Sequence, residues 1–324
     1  MTGEKMDRNL ALEFVRATEA AAIGASHWVG KGDKIAADDA AVKQMRSRLN
    51  AIDFKGKVVI GEGEKDKAPM LFIGEDVGNG KGQEFDLAID PLEGTNLTAK
   101  GLPNALCVLA AGPKGSLLHA PNHYMEKIAA GPKAKGKISL DYTVEENIHA
   151  VARALEKKPG EVTVIILERE RHNDLVKKVR AAGARIMLIP DGDISPAIAT
   201  AIPGSGVDLL LGTGGAPEGV ISAAALKCLD GTFEGRLVFG SEEQRKKAKA
   251  VGLKEGALLE MDDLARGNNL LFAATGVTDG TLLKGVRFEG KRIGTHSLVM
   301  RSKSKTIRFI EAWHSELFQQ KVNP

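Results

Sequence analysis

The amino-acid sequence predicts an α/β protein built from two domains. At 324 residues the chain has the length of about two domains. Its first half reads as two helices followed by short strands, whereas strands and helices alternate after residue 150. Such alternation is typical of a doubly wound, parallel sheet. We therefore expect an N-terminal α+β domain over residues 1–145 and a C-terminal doubly wound α/β domain over residues 146–324.

Two helices open the predicted N-terminal domain. Apolar residues recur at helical spacing over residues 8–29 and again over residues 38–50. The second helix would begin near Asp38, whose carboxylate is therefore expected at the N-terminal end, where it could also serve as a capping residue. Short apolar runs then predict strands over residues 57–60, 85–89, 105–111 and 117–120.

The predicted C-terminal domain alternates between strands and helices. Strands are expected over residues 162–167, 185–189 and 207–211, and helices over residues 173–182, 195–201 and 217–229. A charged helix over residues 241–251 is expected to face solvent, and the tail from residue 269 reads as strands with glycine-rich turns.

The composition excludes several functional classes. Only 4% of the residues are aromatic, so the chain offers little stacking surface for single-stranded nucleic acid. A net charge of +3 predicts neither a nucleic-acid nor a membrane partner. The N-terminus lacks the apolar core of a signal peptide, and the apolar run over residues 105–111 is too short to span a membrane. Cys107 and Cys228 lie in apolar surroundings, as buried thiols do, and we expect a cytoplasmic protein.

Carboxylates follow three of the predicted strands, each beside a glycine turn. Glu62 and Glu64 follow the first of these strands, Asp90 and Glu93 the second, and Glu218 the third. Acidic side chains gathered from separate strand ends repel one another unless a cation lies among them, and carboxylate oxygens suit Mg²⁺ or Mn²⁺. The sequence has no CxxC or HExxH pattern, which argues against zinc. Any one of these residues alone could belong to an ordinary surface turn.

Basic residues accompany the carboxylates. Lys34 follows the first helix, and Arg169, Arg171 and His172 follow the predicted strand over residues 162–167. Arginine side chains and the backbone amides at helix N-termini bind anions such as phosphate. Together with a divalent cation they indicate phosphoryl chemistry, although the arginines alone could form a solvated charged surface and His172 could simply begin a helix.

The turn Gly212-Thr-Gly-Gly-Ala-Pro217 leaves another possibility open, because dinucleotide-binding proteins also place glycines between a strand and a helix. Pro217 falls where that fingerprint needs its third glycine or alanine, and the turn lacks the Gly-Lys-Ser/Thr of a P-loop. A nucleotide-binding oxidoreductase is therefore the more distant alternative.

Longer strings resemble a known family. Asp90-Pro-Leu-Glu-Gly-Thr95 resembles the Asp-Pro-x-Asp-Gly-Thr/Ser signature of the lithium-sensitive, metal-dependent sugar and inositol phosphatase superfamily. The strings over residues 30–38, 60–70, 190–193 and 214–219 are similar to class II fructose-1,6-bisphosphatases, a branch that has glutamate at positions 93 and 218 where the wider superfamily usually has aspartate. The likeness covers nearly the whole chain.

The resemblance implies a layered αβαβα sandwich of two domains with the active site between them. It also implies two or more divalent ions, Mn²⁺ or Mg²⁺, so that the N-terminal domain is a metal-binding domain. Asp38 and Glu62 would hold one ion. The ligands of another would be Asp90, Glu93 and Glu218.

The remaining implied residues act on water and on the substrate. Thr95 would orient the attacking water, while Lys34 and Asp66 would complete the catalytic site. Arginines suit the distal phosphate, and aspartates suit sugar hydroxyl groups. The implied substrate-binding residues are Glu93, Gly94, Thr95, Tyr124, Arg169, Glu170, Arg171, Asp191, Gly192, Asp193 and Gly215.

The resemblance implies hydrolysis of the 1-phosphate of D-fructose 1,6-bisphosphate by metal-activated water, in the service of gluconeogenesis. The alternative within the family is a bifunctional enzyme that also accepts sedoheptulose 1,7-bisphosphate, a sugar that differs by one carbon far from the reacting phosphate. The expected partners are a small sugar bisphosphate and further copies of the chain, since relatives form dimers or tetramers.

Overall fold

A computed structural model describes residues 9–63, 70–250, 252–254 and 256–315. The chain divides into two compact units, one formed by Met1–Leu117 with Asn268–Pro324 and the other by Leu118–Gly267. One sheet has eight strands and the other has six, and helices accompany both. The α/β class is therefore confirmed. The bounds of the units differ from those of the predicted domains, because the C-terminal strands return to the first sheet.

The described helices and strands follow one another along the whole chain. The helices are α1 (Leu10–Ser26), α2 (Lys34–Leu49), α3 (Thr95–Lys100), α4 (Val144–Leu155), α5 (Asn173–Ala181), α6 (Ile194–Ala199), α7 (Ala216–Cys228), α8 (Glu242–Ala250) and α9 (Met261–Leu264). The strands are β1 (Lys55–Ile60), β2 (Asp76–Val77), β3 (Glu84–Glu93), β4 (Leu106–Pro113), β5 (Tyr124–Ala130), β6 (Thr163–Leu167), β7 (Arg185–Ile189), β8 (Leu209–Gly215), β9 (Thr232–Val238), β10 (Leu258–Glu260), β11 (Leu271–Gly276), β12 (Arg287–Glu289), β13 (Arg292–Arg301) and β14 (Thr306–His314).

The first unit packs α1 and α2 against its sheet. Phe14 on α1 meets Phe54 edge to face, with ring centroids 5.4 Å apart, inside a fully buried apolar cluster. The helix α2 begins earlier than predicted, because Asp33 caps it by accepting a hydrogen bond from the Ala36 amide at 3.0 Å. The expectation that Asp38 lies at the helix N-terminus or caps it is therefore wrong, and Asp38 lies in the second turn.

The first sheet has the strand order β12-β13-β11-β4-β3-β1-β2, and β14 pairs with the outer side of β13. β3 extends past Asp90 and Pro91 to Glu93, four residues beyond the predicted end at residue 89. The predicted strand over residues 117–120 is also wrong, because the structure has only a single bridge at Leu117 in that segment.

The second sheet has the order β10-β9-β5-β8-β6-β7 and is mixed rather than parallel. β6 runs parallel to both β7 and β8, as the alternating pattern predicts. β5, which the sequence did not reveal as a strand, inserts between β8 and β9 and is antiparallel to both. The expected doubly wound pattern is thus interrupted at β5, and β10 is antiparallel to β9 as well.

The cysteines and the helices bear on two further expectations. Cys107 and Cys228 are buried free thiols, as expected. None of the helices in the described residues has both the length and the apolar composition of a membrane span.

Candidate active site

Two carboxylates of the first unit face each other. Asp38 lies on α2, and Glu62 lies in the loop that follows β1. Their side chains share a hydrogen bond, and Asp39 adds negative charge nearby. Since a hydrogen bond between two carboxyl groups requires a proton on one of them, the two side chains together carry less negative charge than two free carboxylates.

Burial and like charge oppose the ionisation of this pair. Burial raises the pKa of Glu62 to about 8, and the charge of Asp38 contributes to the same rise. Burial also raises the pKa of Asp38. A divalent cation would reverse this balance, because it favours the ionised form of both groups.

The backbone around Glu62 is fixed by a close crossing with the segment that follows it. The Glu62 amide donates to the Leu71 carbonyl at 3.0 Å. A Cβ on Gly61 would lie only 2.0 Å from that carbonyl oxygen, so the crossing requires glycine. The predicted residues Glu64 and Asp66 lie outside the described residues.

A β-bulge brings Asp90 and Glu93 to the same face of β3. Asp90 lies opposite Val108 and Glu93 lies opposite Leu106, so two residues of β3 occupy the place of one on β4. Residues three apart in a regular strand point to opposite faces, whereas the extra residue restores the same face. Glu93 is buried, and Asp90 accepts a hydrogen bond from the Leu92 amide at 3.2 Å.

The residues after the bulge form a sharp turn into α3. Gly94 has a φ of 85°, which is open to glycine at little cost, and Thr95 is the first residue of the helix. Lys34 is the exposed first residue of α2 and lies one turn before Asp38, so both side chains occupy the same side of that helix.

In the second unit, a buried carboxylate is paired with a buried lysine. Asp193 is 8% exposed and accepts a hydrogen bond at 2.7 Å from the ammonium group of Lys127, which is itself 1% exposed. Glu218 lies in the first turn of α7. Burial raises the pKa of Glu218, while the charge of Lys127 opposes that rise and the charges of Asp193 and Asp191 add to it.

Two glycines at the end of β8 make room for these side chains. A Cβ on Gly214 would lie 1.9 Å from Oδ2 of Asp193. A Cβ on Gly215 would lie 2.0 Å from Oε2 of Glu218. These glycines belong to the turn that was compared with a nucleotide-binding fingerprint. In the structure they leave space for two carboxylates at the end of β8.

The predicted arginines are held by backbone carbonyls. Arg169 donates to the Pro190 carbonyl at 2.5 Å and forms an ion pair with Asp191 at 3.3 Å. Arg171 donates twice to the Thr213 carbonyl, at 3.1 and 2.7 Å, and its guanidinium lies 4.8 Å from the centroid of the Tyr124 ring. Both arginines are thus positioned before any ligand arrives.

Three other predicted residues lie beside these arginines. Glu170 is exposed in the turn between Arg169 and Arg171, and Gly192 separates the two aspartates. The Gly192 amide donates to the Asp191 carboxylate at 3.2 Å, which helps to fix that turn. Gly215 lies opposite Tyr124 in the pairing of β5 with β8.

His172 has a positioning role that the sequence did not reveal. Its Nδ1 bonds to the Leu167 carbonyl at 2.7 Å, and its Nε2 accepts from the Thr213 amide at 2.8 Å. This pattern requires the neutral ring with a proton on Nδ1, consistent with the burial that lowers the pKa of His172. His172 directly precedes α5, close to the helix start that the sequence predicted, and it also connects the arginine turn to β8.

The predicted site residues that the structure describes fall into two groups according to the unit to which they belong. In the first unit the group comprises Lys34, Asp38, Glu62, Asp90, Glu93, Gly94 and Thr95. In the second unit it comprises Tyr124, Arg169, Glu170, Arg171, Asp191, Gly192, Asp193, Gly215 and Glu218. Sequence reasoning missed Lys127, for which the available signal was a charged residue inside the run Tyr124–Ala130.

Carboxylate oxygens make a divalent cation chemically suitable for these groups. The shared hydrogen bond of Asp38 and Glu62 is the observation that fits a cation in the first unit. Across the described parts of the chain, no three His, Cys, Asp or Glu side chains lie close enough together to hold a metal ion. The assignment of metal ligands stays a prediction.

Comparisons with known proteins agree with these chemical features. The sequence model of the family described as "Bacterial fructose-1,6-bisphosphatase, glpX-encoded" matches residues 8–314. A protein of Synechococcus sp. (strain JA-3-3Ab), named D-fructose 1,6-bisphosphatase class 2/sedoheptulose 1,7-bisphosphatase, is 46% identical over 97% of this chain and 98% of its own length. Fructose-1,6-bisphosphatase 1 class 2 of Escherichia coli (strain K12) is 48% identical over 95% of this chain and 96% of its own.

A solved structure, the extragenic suppressor from Pyrococcus furiosus, is more distant. It matches 60% of this chain and 70% of its own at 16% identity, with a TM-score of 0.30. That score is too low to support an argument about the fold.

Proposed function

The chain belongs to the family of bacterial, glpX-encoded fructose-1,6-bisphosphatases, and we propose that the two groups of carboxylates described above carry out its reaction. The chain is thus a phosphoric monoester hydrolase. The reaction removes the 1-phosphate of D-fructose 1,6-bisphosphate and yields fructose 6-phosphate and inorganic phosphate. The relatives named for this activity cover nearly the whole chain, which supports the assignment.

The family is metal-dependent, and the finer proposal concerns which residues bind the metal. Asp38 and Glu62 are proposed to bind one divalent ion, Mn²⁺ or Mg²⁺, and Asp90 and Glu93 to bind another, with Glu218 as a further ligand. Such ions, when bound, neutralise phosphate oxygens and lower the pKa of water. The hydrogen bond shared by Asp38 and Glu62 carries this proposal, because two half-buried carboxyl groups fixed side by side are suited to a cation.

The chain's own residues are proposed to orient the reactants. The Thr95 hydroxyl, fixed at the start of α3, orients the attacking water. Lys34 and Asp66 complete the catalytic residues of the first unit. In the second unit Arg171, together with Arg169, binds the distal phosphate by charge-assisted hydrogen bonds.

The sugar is proposed to be recognised by the remaining residues of the second unit. Asp191 and Asp193 accept hydrogen bonds from its hydroxyl groups, and Tyr124 lies beside Arg171, close to the phosphate subsite. Glu170, Gly192 and Gly215 are proposed to bind the substrate next to these residues. Glu93, Gly94 and Thr95 are proposed to contact the reacting end of the same substrate.

A second candidate substrate is sedoheptulose 1,7-bisphosphate. The cyanobacterial relative carries both activities in its name, and its identity to this chain is close to that of the E. coli relative. The two substrates share the reacting phosphate and differ by one carbon distant from it. A bifunctional enzyme is therefore the alternative within the same family.

A phosphatase assay with a panel of metals and substrates tests this function. Metal-free protein is assayed with Mn²⁺, Mg²⁺ or neither, on fructose 1,6-bisphosphate, sedoheptulose 1,7-bisphosphate and inositol 1-phosphate. We expect phosphate release from the first substrate only with metal, and its loss in Asp90→Asn and Glu218→Gln. Activity that survives either substitution contradicts the proposed ligand roles.

The cellular setting is proposed on the same basis. A phosphatase of this class serves gluconeogenesis in the cytoplasm and binds small sugar bisphosphates rather than nucleic acid or membranes. We also propose a homo-oligomer, a dimer or a tetramer. Light scattering of the purified protein measures the oligomeric state directly.

A further inference from the structure

Lys127 is a buried lysine in the middle of β5. It is 1% exposed, and its neighbours across both adjoining strands are glycines, Gly212 on β8 and Gly235 on β9. A Cβ at either position would first meet another side chain, the His172 ring beside Gly212 and Met125 beside Gly235. Gly214 on β8 leaves the space next to the ammonium group, since a Cβ there would lie 3.2 Å from Nζ of Lys127.

The ammonium group of Lys127 binds one oxygen of Asp193. The distance from Nζ to Oδ2 is 2.7 Å, and the side chains are 2% and 8% exposed. Oδ1 of Asp193 is buried and has no hydrogen-bond partner among the residues that the structure describes. A buried acceptor without a partner is costly, and a donor supplied by a ligand would remove that cost.

Stability alone does not explain this ion pair. Removing a lysine and a carboxylate from water costs several kcal/mol per ion, and well-packed apolar residues are often as stable or more stable in their place. The end of β8 nevertheless has glycine at position 214, where a Cβ would lie 1.9 Å from Oδ2 of Asp193 and 3.2 Å from Nζ of Lys127, so this glycine makes room for the pair. A fixed carboxylate with one oxygen still unsatisfied is suited to binding rather than to packing.

We propose that Lys127 is a positioning residue for substrate binding, which fixes Oδ2 of Asp193 so that Oδ1 accepts a hydrogen bond from a sugar hydroxyl. The proposal rests on the proposed function, in which Asp193 binds the sugar. Lys127 itself does not touch the substrate. Its removal would free the Asp193 side chain to rotate, and the hydrogen bond to the sugar would lose its geometry.

The experiment compares steady-state kinetics and thermal stability of K127M, K127R and a matched control. The control is K157M, because Lys157 binds Asp208 at 2.6 Å in the same unit and belongs to neither group of site residues. For K127M we expect KM for fructose 1,6-bisphosphate to rise about 10- to 100-fold with a smaller change in kcat, the range for a lost hydrogen bond to a charged group. K127R should recover part of this loss, and K157M should leave KM unchanged.

A double-mutant cycle separates positioning from general damage to the fold. If Lys127 acts through Asp193, K127M/D193N should have the same KM as D193N alone. Independent, multiplicative effects on KM, or a KM for K127M equal to that of K157M, would overturn the inference. A wild-type protein without activity on sugar bisphosphates would instead overturn the proposed function, so the two failures are distinguishable.

Discussion

Both units contain carboxylates that are partly or fully buried, but the charged groups beside these carboxylates differ in sign. In the first unit, the neighbours that raise the pKa of Glu62 are themselves carboxylates, Asp38 and Asp39. In the second unit, Asp193 is paired with Lys127 at 2.7 Å, and the same lysine opposes the rise in the pKa of Glu218. The Asp38–Glu62 pair therefore suits an added cation, whereas Asp193 already has one beside it.

This difference indicates that the carboxylates of the two units have different roles. Carboxylates that are brought together without a paired lysine are the donor set of a divalent ion. A carboxylate already neutralised by a buried ammonium has little Coulombic attraction left for a metal but still accepts hydrogen bonds. We therefore propose that the carboxylates of the first unit, with Glu218, bind the metal, and that Asp193 binds the sugar.

The largest expected effect follows from removing charge in the first unit. Glu62→Gln should lower kcat/KM for fructose 1,6-bisphosphate by about 1000-fold, since a lost metal contact costs several kcal/mol in the transition state. Unfolding of the metal-free protein at pH 9 should show no loss of stability, because the substitution removes like-charge repulsion. A metal-free variant less stable than wild type would break the comparison. Initial rates and thermal denaturation measure the two quantities.

Removing charge in the second unit should have the opposite effect on stability. Asp193→Asn leaves the Lys127 ammonium buried without its counter-ion, and the free energy of unfolding should fall by about 3–5 kcal/mol. Urea denaturation measures this change. K127M/D193N serves as the control, because it removes both charges and should recover part of the loss. A variant D193N as stable as wild type would contradict the account.

Glu19 is a buried carboxyl group whose pKa is raised by burial rather than by neighbouring carboxylates. It is 4% exposed on α1, and Thr295 donates to its Oε1 at 3.2 Å. Burial raises the pKa of Glu19 from 4.5 to about 7 in the folded protein. The folded state therefore holds its proton more tightly, so stability should fall as the pH rises from 4.5 to 7 and remain low above that.

The matching variant is Glu19→Gln, which cannot ionise. Relative to it, wild type should lose at most about 3 kcal/mol of unfolding free energy between pH 4.5 and pH 7. This limit follows from the rise of the Glu19 pKa from 4.5 to about 7. Urea denaturation across this range measures the difference between the two proteins. Parallel stability curves for wild type and E19Q would show that Glu19 does not titrate in this interval.

The smallest expected effect concerns the space beside Asp193. A methyl group at position 214 would lie 1.9 Å from Oδ2 of Asp193 and 3.2 Å from Nζ of Lys127. Gly214→Ala should therefore cost about 1–3 kcal/mol of stability, as overpacking usually does. It should also raise KM more than kcat changes. Gly160→Ala is the matched control, because its φ, like that of Gly214, is not positive and its Cβ would make only an ordinary contact, 3.6 Å from the Gly183 carbonyl oxygen.

The sequence singled out candidate site residues but not the local structure around them. Glu62, Asp90 and Glu218 were identifiable because carboxylates beside glycine turns follow apolar runs. The β-bulge after Asp90 was not, because it depends on pairing with β4, which is distant in sequence. The early start of α2 was missed because the cap Asp33 precedes the first periodic apolar residue.

The burial of Lys127 could not be predicted from the sequence, for a related reason. β5 contains Glu126 and Lys127 in its centre, so its hydrophobic pattern does not indicate a strand. The neighbours of Lys127 across the sheet, Gly212 and Gly235, belong to β8 and β9, and only the sheet pairing brings them beside it. Burial of a lysine is decided by such tertiary neighbours, which local periodicity does not contain.

Titration of Mn²⁺ into metal-free protein tests the contrast between the units most directly. Calorimetry on wild type, E62Q and D193N gives the number of ions bound by each. The account predicts that E62Q loses one bound ion or binds it at least about 10-fold more weakly, since one charged ligand is gone, while D193N keeps the wild-type number. Equal Mn²⁺ binding by wild type and E62Q, or loss of an ion in D193N, would contradict it.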